Sequence, residues 1–325
     1  MANATNVLVT GGAGFIGSHL VDLLLERDGT RVTAIDRLSI GGRRENVAHH
    51  EGDERFGLVV ADVNDADTLD ARVRDADAVI HAAAEAHVDR SIAGPREFVV
   101  SNVLGTQTVL EACREHRTRL LMISTDEVYG PGPIDGGLFA EDDPVQPRSP
   151  YAASKAAADL LCQAYRQTYG VDVTIVRGTN AFGPRQLERV VPTYVLAALE
   201  RRPIPVYGRG EQRREWLYVT EWARAALTVM DAGDPGVIYN IGDGVELSNL
   251  ELARRICSLT GADESLIEFV EDRPAHDFRY GVRADRLHAL GWRPGVAFDD
   301  GLAMTVDWYR EHLDEVRGAT PEPAR

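Results

Sequence analysis

The chain has 325 residues, 44% hydrophobic and 26% charged, with 35 basic against 51 acidic residues and a formal net charge of −16. That length supports a large core and two lobes, the excess of acid argues against a nucleic-acid partner, and no apolar run approaches the roughly 18 residues of a membrane-spanning helix. A phosphorylated small molecule stays open, because a few arginines and a helix N-terminus suffice to hold one.

Met1-Ala-Asn-Ala-Thr-Asn6 lacks the basic and apolar regions of a signal peptide, so a cytoplasmic protein is expected. Asn6–Thr10 reads as a strand that runs into Gly11-Gly-Ala-Gly14-Phe15-Ile16-Gly17, with a helix over Ile16–Arg27. A glycine-rich turn between strand and helix lets backbone approach a pyrophosphate at the helix N-terminus. The next strand, Arg31–Ile35, is followed by Asp36, 19 residues past Gly17. That is close to the roughly 20 expected of a carboxylate on the adenosine ribose. An acid there repels a 2′-phosphate and favours NAD over NADP, although Arg37 beside it is a candidate phosphate partner. Asp62 and Val63, after the strand Gly57–Ala61, are placed to contact the adenine. Ala82, Ala83 and Ala84, after the strand Ala78–His81, are small enough to lie beside the cofactor.

Helical patterns cover Asp65–Arg74, Glu97–His116 and Tyr151–Tyr169, and further strands cover Arg119–Thr125 and Val171–Arg177. Strands alternating with helices imply an α/β class with a doubly wound parallel sheet, the Rossmann arrangement. After about Asn180 the alternation breaks. Short strand-like pieces follow (Ile204–Tyr207, Trp216–Val219, Val237–Ile241), with helices near Pro192–Arg201, Glu221–Met230 and Leu250–Leu259. The expected organisation is an NAD-binding domain over residues 1–180 with parts of 216–242 returning to it, a smaller C-terminal α/β substrate lobe over 181–317, and a flexible tail over 318–325. Cys113, Cys162 and Cys257 read as reduced thiols. His49-His50 shows no companion ligands in the sequence, so no metal is expected.

Tyr151 and Lys155 are four apart and share a helix face. A phenol with a pKa of about 10 is a poor base, and a nearby ammonium is expected to lower it. Ser124 and Thr125, at the strand end, are placed to hydrogen-bond a substrate oxygen. Asp126 and Glu127 follow at once. Two adjacent carboxylates in a closed site do not both ionise easily, which supplies one acid and one base. Together these groups describe an enzyme that oxidises a substrate and then performs acid–base chemistry on it.

The chain resembles the extended short-chain dehydrogenase/reductases, and within them the nucleoside-diphosphate-glucose 4,6-dehydratases. The resemblance rests on Thr10–Gly17, Ala84–Ile92, Ser124-Thr-Asp-Glu-Val-Tyr-Gly130, Ser149-Pro-Tyr-Ala-Ala-Ser-Lys155, Trp216–Val219 and Asp272–Asp277. It implies a nucleoside-diphosphate-hexose substrate, C4 oxidation with Tyr151 as base, removal of the C5 proton by Glu127 and donation to the C6 hydroxyl by Asp126. It also implies that Asn180 and Arg214 hold the diphosphate, that Arg273 and Tyr280 line the sugar or phosphate end, and that Pro205 and Tyr207 pack on the nucleobase. His87, in the His-Val-Asp-Arg-Ser segment, would lie near the cleft. Arg189 stands where the family usually has Lys, in a segment one residue shorter; with Val245 where many members have Asn, this bears on the thymidine preference of the commonest members. A homodimer pairing Glu97–His116 and Tyr151–Tyr169 is expected. The alternatives are an NAD-dependent epimerase or decarboxylase on a sugar nucleotide, and an NAD-binding regulatory protein without catalysis.

Overall fold

A computed structural model of the chain describes residues 5–132, 137–272 and 276–319. Its strands are β1 (Asn6–Thr10), β2 (Arg31–Asp36), β3 (Phe56–Val60), β4 (Ala78–His81), β5 (Arg119–Thr125), β6 (Val173–Gly178), β7 (Asn180–Phe182), β8 (Ile204–Tyr207), β9 (Arg213–Tyr218), β10 (Ile238–Ile241), β11 (Val245–Ser248) and β12 (Ile267–Val270). The helices are α1 (Phe15–Leu25), α2 (Ala66–Arg74), α3 (Val88–Ala93), α4 (Pro95–Phe98), α5 (Gly105–His116), α6 (Pro150–Tyr169), α7 (Val190–Leu199), α8 (Val219–Ala232), α9 (Asn249–Thr260), α10 (Asp285–Ala289), α11 (Phe298–Glu311) and α12 (Leu313–Ala319).

Seven strands form one parallel sheet in the order β10-β6-β5-β4-β1-β2-β3. Alternate residues of each strand serve opposite faces, as the two-residue period requires. Val7, Val9, Leu121 and Ile123 pack with Leu20 and Leu24 of α1 and Trp222 of α8. Leu8, Leu120 and Met122 pack on the other face with Leu69 of α2, Leu110 of α5 and Cys162 of α6. The strand order reverses between β1 and β4. Such a switch opens a crevice at the C-terminal strand ends, where ligands of this architecture lie. A second core gathers α7, α9 and α11 with β8, β9 and β11, and the smaller sheets run β11-β9-β7 and β12-β8.

Several elements differ from the sequence expectation. The helix expected over Glu97–His116 is divided into α4, a π-helical stretch over Val99–Leu104, and α5. The wider turn directs Asn102 inward, where its amide donates to the Glu85 carbonyl and to Ser154 Oγ at 2.9 and 2.8 Å. Gly105 then leaves no room for a side chain, since a Cβ there would sit 2.8 Å from Val63 Cγ2. Strand β9 starts three residues before the expected Trp216 and joins the small sheet, whereas β10 adds to the large one. Strands β7, β11 and β12 are three or four residues long and take their register from β9 and β8, so local patterning did not mark them. All three cysteines are buried and unbridged. Of the expected tail, residues 318 and 319 close α12 and residues 320–325 lie outside the described residues.

Candidate active site

The glycine turn is built for close backbone approach. Gly11 adopts φ +69°, and a Cβ there would lie 2.6 Å from the Ala83 nitrogen. A Cβ on Gly17 would come 2.0 Å from the Gly11 carbonyl, so the first turn of α1 can sit on the loop only without one. Gly14 caps α1 without a side-chain hydrogen bond, and Phe15 and Ile16 begin the helix, leaving its N-terminal N–H groups to an anion. Ala82, Ala83 and Ala84 follow β4 directly beside this turn, where Ala82 N donates to the Thr10 carbonyl and Ala83 N to Thr10 Oγ1.

Asp36, at the end of β2, accepts from Leu38 N at 2.8 Å and Ala13 N at 3.1 Å. Burial raises its pKa against the pull of these donors. Arg37 is occupied by two acids, Asp62 at 3.2 Å and Glu85, and so is not a spare cation for a 2′-phosphate. Asp62 also holds Asn64 N, and Val63 is buried after β3. A Cβ-free turn, an uncapped helix N-terminus and a carboxylate at the end of β2 together fit NAD.

At the end of β5 the chain enters a 3-10 turn over Asp126–Tyr129. Thr125 caps it by accepting from Glu127 N at 3.3 Å. Gly130 closes it at φ +80°, where a Cβ would lie 2.3 Å from the Gln146 carbonyl. Asp126 is 2% exposed, with Thr125 Oγ1 at 3.3 Å on one oxygen and no hydrogen-bond partner among the described residues on the other. Burial first, then the charges of Glu127 and Glu215, hold its pKa well above the usual carboxylate range. A buried, half-satisfied carboxyl beside another acid takes up a proton.

Helix α6 presents the other half of the site. Ser149 caps it by accepting from Ala152 N at 3.1 Å, Pro150 occupies the first turn, and Gly170 ends it at φ +72°, each at its favoured place. Tyr151 and Lys155 are buried, and Lys155 Nζ donates to the Ile123 carbonyl at 2.7 Å. Burial lowers Lys155 to about 8, against the charge of Asp159. The expectation that Lys155 lowers Tyr151 is corrected. Burial, then the Glu127 charge, raises the phenol, while Arg189 and the Thr125 hydroxyl draw it down.

The NAD-dependent epimerase/dehydratase family matches residues 7–242. The chain belongs to that family. It is 48% identical to the low-salt glycan biosynthesis protein Agl12 of Haloferax volcanii, over 94% of this chain and 98% of the relative. It is 46% identical to a dTDP-glucose 4,6-dehydratase of an Actinoplanes species, over 94% and 97%. Among solved structures, the dTDP-glucose 4,6-dehydratase DesIV of Streptomyces venezuelae, with NAD bound, superposes with a TM-score of 0.94 at 44% identity, covering 97% of this chain and all of that one.

On the substrate side of this family member, Arg214 acts by its charge on Asp126, Glu127 acts on Tyr280, and Arg189 acts on Tyr151. Arg189 caps α7. The Arg214 guanidinium lies 4.4 Å over the Tyr280 ring and donates to the Asp277 and Arg213 carbonyls, and its charge acts on Asp126. Tyr280 donates to Asp277 at 2.6 Å, and burial and the Glu127 charge raise its pKa. Asn180 opens β7, half-buried, paired with Trp216. His87 caps α3, with its Nδ1 accepting from Arg90 N at 3.4 Å. Pro205 and Tyr207 lie in the β12-β8 sheet, where Tyr207 meets His276 edge-on at 6.1 Å. Arg213 pairs with Glu246 and Glu251, and Arg209 with Glu211. Arg273 lies outside the described residues.

Three groups escaped the sequence reading. Glu215 is buried on β9, accepts from Gly244 N at 2.9 Å, and is pushed up to about 7 chiefly by burial. Its only sequence mark was an acid between Arg214 and Trp216. Asp159 and Arg177 form a buried pair at 2.9 Å, and the Asp159 charge supports the Lys155 ammonium. Asp159 falls one further helical turn along the Tyr151–Lys155 face, a spacing that was open to view. Asn102 had no such signal, because only the π turn brings it inward.

Proposed function

We propose that the protein is a dTDP-glucose 4,6-dehydratase that forms dTDP-4-keto-6-deoxyglucose for deoxysugar biosynthesis. The observation that carries this reading is Asp126, a buried carboxyl whose pKa burial and the neighbouring Glu127 charge raise well above the usual carboxylate range. Oxidation alone has no use for such a pair, whereas removal of water needs one group to take the C5 proton and another to give a proton to the departing C6 hydroxyl.

When bound, NAD supplies the acceptor for the C4 hydride and its return to C6. Tyr151 takes the proton of the C4 hydroxyl. A protonated Asp126 carries no charge, which removes one of the influences that hold the Tyr151 phenol up. The acid form of Asp126 and the base form of Tyr151 therefore favour one another. Glu127 takes the C5 proton, made acidic by the neighbouring C4 carbonyl, and Asp126 protonates the C6 hydroxyl as it leaves. Arg214 and Asn180 hold the diphosphate, as a guanidinium fork suits its oxygens.

The division into an NAD-binding domain and a substrate lobe follows the two cores. The reading also includes an isologous homodimer. Val99, Val100 and Leu104 in the π stretch, with Leu160 and Tyr169 on α6, are large apolar side chains left exposed on neighbouring elements, and a partner helix pair would cover them. A cytoplasmic location is proposed with it; no helix among the described residues is long and apolar enough to cross a membrane. The test is incubation with dTDP-glucose and measurement of product mass. Loss of one water, with a 4-keto chromophore in alkali, is expected; an isomer of unchanged mass would assign the protein to the epimerases.

A further inference from the structure

We propose that Asp22, His49 and His50 form a site for a first-row transition metal ion of the zinc or nickel class. His49 and His50, adjacent at the end of the 3-10 stretch Arg44–His50, turn their rings to the same side with centroids 4.0 Å apart. Both Nε2 atoms lie 2.8 Å from one oxygen, Asp22 Oδ1 on α1. The three ligand atoms fall within 4.8 Å of one another. The companion that the His-His pair lacked in the sequence is thus a carboxylate 27 residues earlier, delivered by the packing of α1 on the 3-10 stretch.

The donor set selects the ion. Two imidazole nitrogens and one carboxylate oxygen suit zinc, nickel, cobalt or copper, whereas magnesium and calcium prefer an all-oxygen shell. A three-ligand site leaves a fourth position to water. The Asp22 carboxylate is already oriented, because its second oxygen accepts from Arg185 at 2.8 Å. Outer partners of this kind fix a ligating carboxylate while leaving the other oxygen to the metal. The Arg185 charge also opposes the ion, which predicts micromolar and not picomolar affinity. Half of the His49 side chain is exposed, giving the ion a path in.

The position gives the site a consequence. Arg185 belongs to the loop that leads to Glu188 and Arg189, and His19 of α1 meets the Pro184 carbonyl of the same loop at 3.2 Å. An ion here would tie α1 and the 3-10 stretch together at the seam with that loop, and would stabilise the folded chain without touching Tyr151 or Asp126.

The experiment uses tag-free full-length protein, titrated with Zn²⁺ and Co²⁺ by calorimetry, with Tm read at each concentration. One ion per chain, a rise in Tm and no effect of Mg²⁺ are expected. The variant His49→Gln/His50→Gln should lose the bound ion and the Tm rise while keeping its metal-free Tm and its turnover. Absence of binding to the wild type, or full uptake by the double variant, would overturn the proposal. Neither outcome touches the dehydratase reading, which is scored on product mass.

Discussion

Asp36 and Asp126 sit on the same edge of the same parallel sheet, Asp36 as the last residue of β2 and Asp126 just past the end of β5, each buried, each with a raised pKa. Their surroundings differ. Asp36 accepts two backbone N–H groups and has no second acid beside it among the causes of its shift. Asp126 has one oxygen without a partner among the described residues, and the charges of Glu127 and Glu215 act on it. On the proposed reading, one arrangement fixes a carboxylate as a recognition element and the other stores a proton. Strand ends in a doubly wound sheet thus supply equivalent positions, and local hydrogen bonding decides whether an acid there binds or reacts.

The largest effect is expected at the reactive end. Asp126→Asn should lower kcat about 10²- to 10⁴-fold, the usual worth of general acid catalysis, and leave NAD affinity as it is, measured by steady-state kinetics and cofactor titration. Loss of NAD binding with kcat intact would reverse the assignment of the two acids. Next comes Glu215→Gln. Glu215 holds its proton to about pH 7 in the folded chain, so between its ordinary pKa and 7 the folded state binds more protons and stability falls as pH rises. Removing the charge should leave the variant progressively more stable than wild type across that window, by roughly 3 kcal/mol at the top, read from denaturant midpoints at pH 5 and 8. An unchanged difference between the two pH values would mean that Glu215 is ionised in the fold.

Asp36→Asn should weaken NAD binding roughly 10- to 100-fold, the range of a charge-assisted hydrogen bond, while kcat at saturating NAD stays near wild type. That is the mirror image of Asp126→Asn. The smallest effect is Ser149→Ala, which removes the cap of α6 and should cost about 1 kcal/mol in thermal unfolding with kcat held by the rest of the helix. A fall in kcat beyond the stability loss would show that the cap also positions Tyr151.

What could be seen in the sequence divides along similar lines. The glycine turn, Asp36, the Asp126–Glu127 pair and the Tyr151–Lys155 face are contiguous or one helical turn apart, so strand and helix periods alone placed them. The sheet followed from its regular alternation of short β-branched runs and amphipathic stretches. Glu215, Asn102 and the Asp22–His49–His50 cluster depend on which element packs against which. β9 delivers Glu215 through its register with β11, a π turn delivers Asn102, and α1 meets a 3-10 stretch at Asp22. The direction of the Tyr151 shift was misread for a related reason. The ammonium four residues away is local and visible, whereas burial and the Glu127 and Asp126 charges, which raise the phenol, depend on the fold around it.

The most direct measurement uses the variant Asp126→Asn/Glu127→Gln with dTDP-glucose, following reduced-cofactor absorbance and product mass together. In the proposed mechanism oxidation at C4 draws on Tyr151 and Lys155 and not on the two acids, so NADH should accumulate on the enzyme while the sugar keeps its C6 hydroxyl. Release of 4-keto-6-deoxy product at the wild-type rate would contradict the division of labour between α6 and the end of β5.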